Sequence, residues 1–248
     1  MYTIENILAA RHAFLKGKGG DKQLAQGRRD LTMAIEHNYP AFEIMRDDLV
    51  DQPPARKKPS AARPPDPVDF NFLFDSMLSH QLIHRNDDQF LLKDVNARRF
   101  MTGGWLEELA WLAAVEAGAD EAYYSQLVGW DVDGYSGENE IDVIFRKGER
   151  LGFVSCKALR SSLASSDRKH RARMMDAVHE ADNLADHFGE PGERVGVLVT
   201  TDLFDEDSGS ARYEALMGKA AVLDVRVIPL EDIGWNRLVD VMQYLMDT

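Results

Sequence analysis

Two short apolar segments around Lys147-Gly148 constrain the fold of this chain most strongly. Residues 140–145 and 151–156 are rich in β-branched and aromatic side chains, which is typical of two paired strands joined by a turn. The sequence on either side alternates between helical and strand patterns. The predicted helices cover residues 104–117, 171–188, 211–220 and 233–246, and the further strands cover residues 123–132, 195–200 and 223–228. This order predicts an α/β domain with one mixed central sheet flanked by helices.

Proline marks the clearest boundary in the chain. Six of the nine prolines lie between Asp51 and Val68, among several basic residues, and this segment lacks apolar periodicity. It is therefore predicted to be an extended linker over residues 51–68. The rest of the chain is predicted to form a small helical N-terminal region (1–50), a winged-helix-like unit of helix and strand (69–97) and the α/β domain (98–248).

Apolar spacing gives finer expectations for the first hundred residues. Residues 4–15 place their apolar side chains on one helical face, and residues 23–45 have room for one or two more helices. Residues 70–84 again keep a helical register, and residues 89–93 are predicted to be a short strand. The first fifty residues are thus expected to form a helical hairpin or a small bundle.

Composition narrows the class of protein. The net charge of −13 in 248 residues argues against a general nucleic-acid coat, although basic residues concentrated at one site would still permit contact with nucleic acid. The single cysteine, Cys156, excludes an intramolecular disulfide and a multi-cysteine zinc site. Nothing approaches the roughly 18 consecutive apolar residues of a membrane helix, and no secretory signal is visible. A reducing cytoplasm is the expected location.

Polar residues lie at the ends of the two central strands. Because side chains alternate between the faces of a strand, Ile141, Val143 and Phe145 are expected on one face, with Glu140 and Asp142 on the other. Ser155 and Lys157 share a face of the next strand. Asp142 and Lys157 are therefore expected to meet at one end of the sheet, either as a structural ion pair or as part of a reactive site.

A second acidic pair, Glu107-Glu108, lies in the first turn of a predicted buried helix, directly after Gly103-Gly104-Trp105-Leu106. The helix dipole favours acidic residues there whatever the function. A buried helix can also direct one such carboxylate at the sheet. Two or three carboxylates can hold Mg²⁺, whose bound water then attacks a phosphodiester, while a lysine orients that water or offsets negative charge.

At these residues the sequence resembles a known superfamily. The spacing Asp142-x(12)-Ser155-x-Lys157 behind a glutamate-bearing helix resembles the PD-(D/E)xK, or restriction-endonuclease-like, superfamily. The chain resembles most closely the nuclease domain of CRISPR ancillary nucleases that cyclic oligoadenylates switch on. The similar segments are residues 100–108, 139–143 and 153–157 and the strand–helix–strand tail that ends at residues 225–229, and the resemblance covers about residues 70–246.

The resemblance implies a restriction-endonuclease-like sheet and a metal-dependent endonuclease of DNA, RNA or both, in prokaryotic defence. Glu107 would be the helix carboxylate, Asp142 the central metal ligand and Lys157 the catalytic lysine. Glu140 would be an outer metal ligand or would hold water. The implied cofactor is Mg²⁺ or Mn²⁺, and the family's tendency to dimerise implies a homodimer.

Two departures from the family pattern change what is expected. Ser155 stands where the family usually has glutamate, and a neutral hydroxyl is a weaker ligand, so the site would need Mn²⁺, would depend on Glu140 or Glu107, or would be inactive. The family's sensor half is a Rossmann-like domain of well over a hundred residues, and no segment of this sequence corresponds to it. Control by a protein partner, bound through residues 1–50, is therefore expected.

A basic cluster follows Lys157 closely in this acidic chain, and it suggests contact with phosphates. Its members are Arg160, Arg168, Lys169, His170, Arg171 and Arg173. A solvated helix face is the alternative interpretation of this cluster. For the whole chain, the alternatives are a catalytically degenerate nuclease fold that binds nucleic acid, or a subunit of a larger defence complex. Cys156 is expected to be a core residue.

Overall fold

The computed structural model describes residues 2–50, 67–86, 89–164 and 166–247. The strands of these residues are β1 (Ala13–Lys16), β2 (Ile83–Asn86), β3 (Gln89–Leu92), β4 (Glu121–Val132), β5 (Tyr135–Lys147), β6 (Arg150–Lys157), β7 (Val195–Val199), β8 (Phe204–Asp205), β9 (Ser210–Ala211) and β10 (Val225–Ile228). The helices are α1 (Ile4–Ala10), α2 (Lys22–Gly27), α3 (Arg29–His37), α4 (Tyr39–Val50), α5 (Pro67–Ser79), α6 (Val95–Arg99), α7 (Trp105–Glu116), α8 (Arg168–Phe188), α9 (Glu214–Val222) and α10 (Trp235–Met246). A π-helical turn, Phe100–Gly104, precedes α7, and a 3₁₀ turn, Leu230–Asp232, lies before α10.

The central sheet is mixed, with the strand order β1-β4-β5-β6-β7-β10. The pairs from β1 to β6 are antiparallel, and β6, β7 and β10 run parallel. Every residue of β7 is buried, as expected for a parallel strand covered on both faces. The prediction of an α/β fold with a mixed central sheet is confirmed.

Two-residue turns set the register of the long antiparallel strands. Asp133 and Gly134 join β4 to β5, and both have positive φ angles of 53° and 83°. This is the conformation of a type I′ turn, whose twist suits a hairpin. Gly148, with φ 60°, begins the turn between β5 and β6. These turns confirm the predicted hairpin and extend its first strand back to Tyr135.

Hydrophobic cores cover both faces of the sheet. On one face α7, α10 and the N-terminal helices α3 and α4 pack together, with the Trp105 side chain fully buried among Tyr39 and Phe42. On the other face α8 and α9 pack against β6, β7 and β10, and α1 covers the β1–β4 edge. The predicted helices and strands after residue 103 all occur, with their ends shifted by a few residues.

The N-terminal region contributes a strand to the central sheet in addition to its helices. The single helix predicted over residues 4–15 is wrong, because α1 ends at Ala10 and β1 then joins the central sheet beside β4. His12, with φ 60°, makes this change of direction. The Phe14 ring lies over Gly129 of β4, where a Cβ atom would be only 2.7 Å from the ring. Local periodicity suggested a helix, but pairing with a distant strand decides the conformation here.

Residues 67–86 and 89–99 form α5, the antiparallel pair β2–β3 and α6. The predicted helix over residues 70–84 is wrong at its end, because Gln81 has a positive φ of 57° and the chain then enters β2. Leu73, Met77 and Ile83 are buried in the same core as α7. Most of the predicted linker, residues 51–66, lies outside the described residues. None of the described helices is long and apolar enough to cross a membrane.

Close packing near the start of β6 is predicted to require glycine at position 152. A methyl group at Gly152 would lie 2.3 Å from the buried Phe145 ring. Gly152→Ala is therefore expected to lower the free energy of unfolding, measured in urea, by about 1–3 kcal/mol, because the ring must shift in a packed core.

Gly218→Ala is the matched control, since Gly218 lies on the exposed face of α9 with no atom within 4 Å of an added Cβ. This change is expected to raise the free energy of unfolding by roughly 0.5–1 kcal/mol through helix propensity. Equal effects of the two substitutions would contradict the close packing at Gly152.

Candidate active site

Side chains on either side of Asp142 point to opposite faces of the sheet, although regular alternation would put both on one face. Val143 lies in the core that contains α7, whereas Ile141 lies in the opposite core with α8. Ser125, which stands between two residues of β4 paired with Val143 and Ile141, has a positive φ of 47°. The prediction that Ile141, Val143 and Phe145 share one face is therefore wrong. Positive φ is strained for serine, and such strain is most often found at functional sites.

Asp142 fills the place where strands β5 and β6 separate. Backbone pairing between these strands stops at Val143 and Val154. Beyond that pair, the Asp142 Oδ2 atom accepts hydrogen bonds from the Cys156 backbone N–H at 2.6 Å and from the Ser155 hydroxyl at 3.3 Å. Burial raises the pKa of Asp142, and the Cys156 N–H and the charge of Lys157 act in the opposite direction.

Glu107 reaches the same place from α7. Burial is the main reason that its pKa is raised to about 7, and the neighbouring charges of Asp142 and Glu140 raise it further. The Ser125 hydroxyl donates a hydrogen bond to its carboxylate, which together with the charge of Arg99 lowers the pKa. Two partly buried carboxylates therefore share one region, and the charge of Asp142 disfavours ionisation of Glu107.

The structure distinguishes the two acidic residues of the helix. Glu108 is 3% exposed and forms an ion pair with Arg28, which precedes α3. It thus ties α7 to the N-terminal helices, whereas Glu107 faces the separated strands. Glu140 is exposed and pairs with Arg99, near enough for its charge to act on Glu107 and Asp142.

Lys157 approaches from the opposite face of the sheet. Its Nζ atom lies 2.8 Å from Glu180 Oε2 on α8. Burial by itself lowers the pKa of Lys157, but the ion pair with Glu180 and the charge of Asp142 together raise it, so the amine stays protonated at neutral pH. Ser155 shares this face and is 5% exposed. The predicted meeting of Asp142 and Lys157 at one end of the sheet is seen, although the direct ion pair of Lys157 is with Glu180.

Cys156 lies between these groups on the other face of β6. Its side chain packs against the core that contains α7. Its Sγ atom lies 3.9 Å from the Leu106 carbonyl oxygen, and burial raises the pKa of the thiol well above its ordinary value. A partly buried, protonated thiol packed against the core is a packing residue, as the strand alternation predicted.

The basic cluster divides in the folded chain. Arg160, Lys169 and Arg173 line a cleft beside the end of β6, and Arg46 of α4 lines it with them. Arg171 points elsewhere, since its guanidinium donates to the Arg212 carbonyl and stacks on the Tyr213 ring. Arg168 is exposed and is not a lining residue of this cleft.

Tyr39 connects the two halves of the site. Its ring stacks on Trp105, the first residue of α7, at a centroid distance of 5.5 Å. Its hydroxyl donates to the Leu159 carbonyl at 2.6 Å, two residues after Lys157. The N-terminal helices therefore fix both the helix that carries Glu107 and the segment that follows Lys157.

Three residues of the site were missed from the sequence. Ser125 was detectable, because the Asp133-Gly134 turn fixes a register that places it opposite Asp142. Glu180 and Tyr39 carry no local signal, since each reaches the site only through long-range packing.

The residues present fit a hydrated divalent cation better than a fully protein-ligated one. No group of three His, Cys, Asp or Glu side chains in the described ranges is arranged to hold a metal. Glu107 and Asp142 remain as a pair, and within the described chain neither Glu107 Oε1 nor Asp142 Oδ1 accepts a hydrogen bond. Mg²⁺ keeps several waters and is commonly held by one or two carboxylates. A cation would also relieve the mutual repulsion of the pair.

Part of the sequence and the overall fold are similar to those of known proteins. Residues 94–189 match the family model described as Card1-like, endonuclease domain. The fold is similar to that of protein VC1899 from Vibrio cholerae, with a TM-score of 0.70 and 16% identity over 98% of this chain and 61% of that one. It is also similar to Can2 from Sulfobacillus thermosulfidooxidans in complex with cyclic tetra-adenylate, with a TM-score of 0.61 and 14% identity over 97% of this chain and 61% of that one. No significant match is found among curated proteins.

The chain has an α/β fold, and one segment of it matches an endonuclease-domain family model. The segment contains Glu107, Asp142 and Lys157, together with Ser125 and Glu180. The resemblance to an ancillary nuclease domain is confirmed over residues 94–189, which are similar to the Card1-like endonuclease domain. The chain spans 61% of the length of each of these two solved structures, and at these identities the likeness establishes the fold alone.

Removing the charge of Glu107 is predicted to stabilise the metal-free protein. The unfolded glutamate ionises near its ordinary pKa of 4.5, but the folded one retains its proton up to a pKa of about 7. Stability of the native protein therefore falls as the pH rises from 4.5 to 7. Glu107→Gln removes this loss, so with chelator at pH 8 it is expected to raise the free energy of unfolding by up to about 3 kcal/mol.

The gain from Glu107→Gln is expected to shrink towards pH 5, where the native carboxyl is protonated. Thermal unfolding at both pH values measures it. Glu116→Gln, an exposed position at the end of the same helix, is the control and should show no such pH dependence. A Glu107→Gln variant less stable than the native protein at pH 8 would contradict the charge repulsion.

Proposed function

We propose that this protein is a metal-dependent nuclease that hydrolyses phosphodiester bonds of DNA, RNA or both, in CRISPR-associated defence in the prokaryotic cytoplasm. The observation that carries the proposal is the convergence of Glu107, Asp142 and Lys157 where β5 and β6 separate, inside the segment that matches an endonuclease family. Structural ion pairs do not require two partly buried carboxylates in one region, whereas metal-assisted hydrolysis does use them.

Each residue has a role that its surroundings support. Glu107 and Asp142 would hold Mg²⁺ or Mn²⁺, with Glu140 as an outer ligand or a holder of water. Such an ion supplies charge stabilisation and an activated water. Lys157, kept protonated beside Glu180, offsets the negative charge that develops on the scissile phosphate. Ser155 donates to Asp142 and keeps this carboxylate in place at the separated strands.

Nucleic acid would be contacted by the basic cluster of Arg160, Arg168, Lys169, Arg171 and Arg173. The cleft beside β6 supports this role for Arg160, Lys169 and Arg173, because it opens immediately after the strand that carries Lys157. Arg171, engaged with Tyr213, is the least supported member of the set.

We propose that the activity is controlled by association with other protein chains. Can2 was solved with cyclic tetra-adenylate, and the present sequence covers 61% of that protein. For this chain we propose a protein partner bound through residues 1–50, together with a homodimer. Such a partner would use the exposed faces of the N-terminal helices, since their apolar faces already pack against α7.

Loss of the lysine amine is predicted to abolish cleavage. Lys157→Ala should reduce Mg²⁺- or Mn²⁺-dependent nicking of plasmid DNA, or cleavage of RNA, by at least about a hundredfold, because a positive charge at the reacting phosphate is removed. Single- and double-stranded DNA and RNA are incubated with Mg²⁺, Mn²⁺ or chelator, and the products are separated on gels.

Lys147→Ala is the matched control, because Lys147 ends the neighbouring strand and contacts Gly118 away from the site. It should leave cleavage unchanged, and circular dichroism should show that both variants fold. If Lys157→Ala cleaves as well as the native protein, the proposal that this site is the active site is wrong.

The rival function is a degenerate nuclease fold that binds nucleic acid without cutting it. The neutral hydroxyl of Ser155 in place of a carboxylate favours this rival. Ser155→Glu, with Ser155→Asp as the smaller replacement at this buried position, separates the two functions. Cleavage by the native protein supports the nuclease, whereas an inert native protein that gains cleavage in either variant identifies the degenerate fold.

A further inference from the structure

A cleft of about 380 Å³ opens beside the end of β6. Its wall contains Ala158 and Leu159, which directly follow Lys157. The other walls come from the end of α4 and from the start of α8. The cleft therefore adjoins the candidate active site but is built by different side chains.

Positive charge dominates this cleft. Arg160, Lys169 and Arg173 line it, are exposed, and form no ion pair within the described part of the chain. Of the two acids in the walls, Asp47 is already paired with Arg46 at 2.7 Å, and Asp167 accepts the His170 backbone N–H as the N-cap of α8. In a chain of net charge −13, three unpaired cations around one cleft indicate an anionic ligand.

A buried network fixes the position of Arg160. The Thr201 hydroxyl donates to the Arg160 carbonyl at 2.8 Å, so its oxygen accepts from His170 Nε2 at 2.9 Å. The imidazole thus carries its proton on Nε2. Burial lowers the pKa of His170, so the ring is neutral and the charge of the cleft comes from the arginines and the lysine.

We propose that this cleft binds a second phosphate group of the nucleic-acid strand being cut, next to the scissile phosphate. The inference rests on the proposed nuclease function. Arg160 follows Lys157 by three residues, and an extended chain of that length spans about 10 Å. This distance suits a neighbouring phosphate of the same strand better than the reacting one. Arg46 makes the N-terminal region part of the substrate-binding surface.

Binding of fluorescently labelled single-stranded DNA and RNA, measured by anisotropy over a series of salt concentrations, tests the cleft. The full chain with Lys157→Ala is the parent, so that cleavage does not interfere. Adding Arg173→Ala or Lys169→Ala should weaken binding about tenfold and lower the slope of log affinity against log salt by about one. Both side chains are exposed on α8, so the fold should be retained.

Lys147→Ala is the control, because Lys147 is an exposed basic residue that ends β5 and contacts Gly118 outside the cleft. It should leave affinity and salt slope unchanged. Oligonucleotides with one phosphate replaced by a neutral methylphosphonate locate the contact. One replacement should weaken binding of the parent and have no effect on the Arg173→Ala variant.

The outcomes separate the cleft from the nuclease. Unchanged affinity in both Arg173→Ala and Lys169→Ala overturns the phosphate-binding role of the cleft. Cleavage by the native protein would then still support the nuclease function. A position-specific methylphosphonate effect in a native protein that cuts nothing retains the cleft as a binding site and overturns the nuclease. Equal weakening by Lys147→Ala and Arg173→Ala would also overturn the proposal, because it indicates only a general effect of positive charge.

Discussion

The site depends on the cost of burying two carboxylates together. Glu107 and Asp142 are both largely removed from water and act on each other through their charges. Separate polar contacts offset part of this cost, since Asp142 accepts the Cys156 N–H and Glu107 accepts the Ser125 hydroxyl. These contacts place the acids without neutralising them. A fold that retains such a pair loses stability unless a cation or a proton joins it, and this balance is typical of a functional site.

The separation of β5 and β6 allows both faces of the sheet to contribute. Glu107 comes from the side of α7, while Ser155 and Lys157 come from the side of α8. In a regular sheet, the layer of strands would keep these groups apart. Asp142 lies where the pairing stops, and its carboxylate replaces a backbone partner for Cys156. The interrupted alternation of side chains at Ser125 and Asp142 therefore helps to bring groups from both faces of the sheet into the site.

Prediction from sequence succeeded where local patterns decide the structure. The buried run of β7, the turn at Gly148 and the amphipathic α8 each carry a local signal in the sequence, and these signals predict the sheet. Prediction failed where distant segments decide. β1 looks helical in isolation, but Phe14 packs over Gly129 and the segment becomes an edge strand. The face of the sheet on which Ile141 lies was also predicted wrongly, because strict alternation of side chains assumes that no strand residue adopts a positive φ.

The same distinction applies to the site residues. Glu107, Asp142 and Lys157 belong to recognisable motifs, and the structure brings them together. Tyr39 and Arg46 belong to no motif, yet Tyr39 bridges Trp105 and Leu159, and Arg46 donates to the Tyr39 hydroxyl at 3.1 Å while lining the basic cleft. Because α4 touches both the helix of the acids and the segment after the lysine, any displacement of α4 would disturb the candidate active site and the basic cleft together. The N-terminal helices are thus a structural part of the candidate active site.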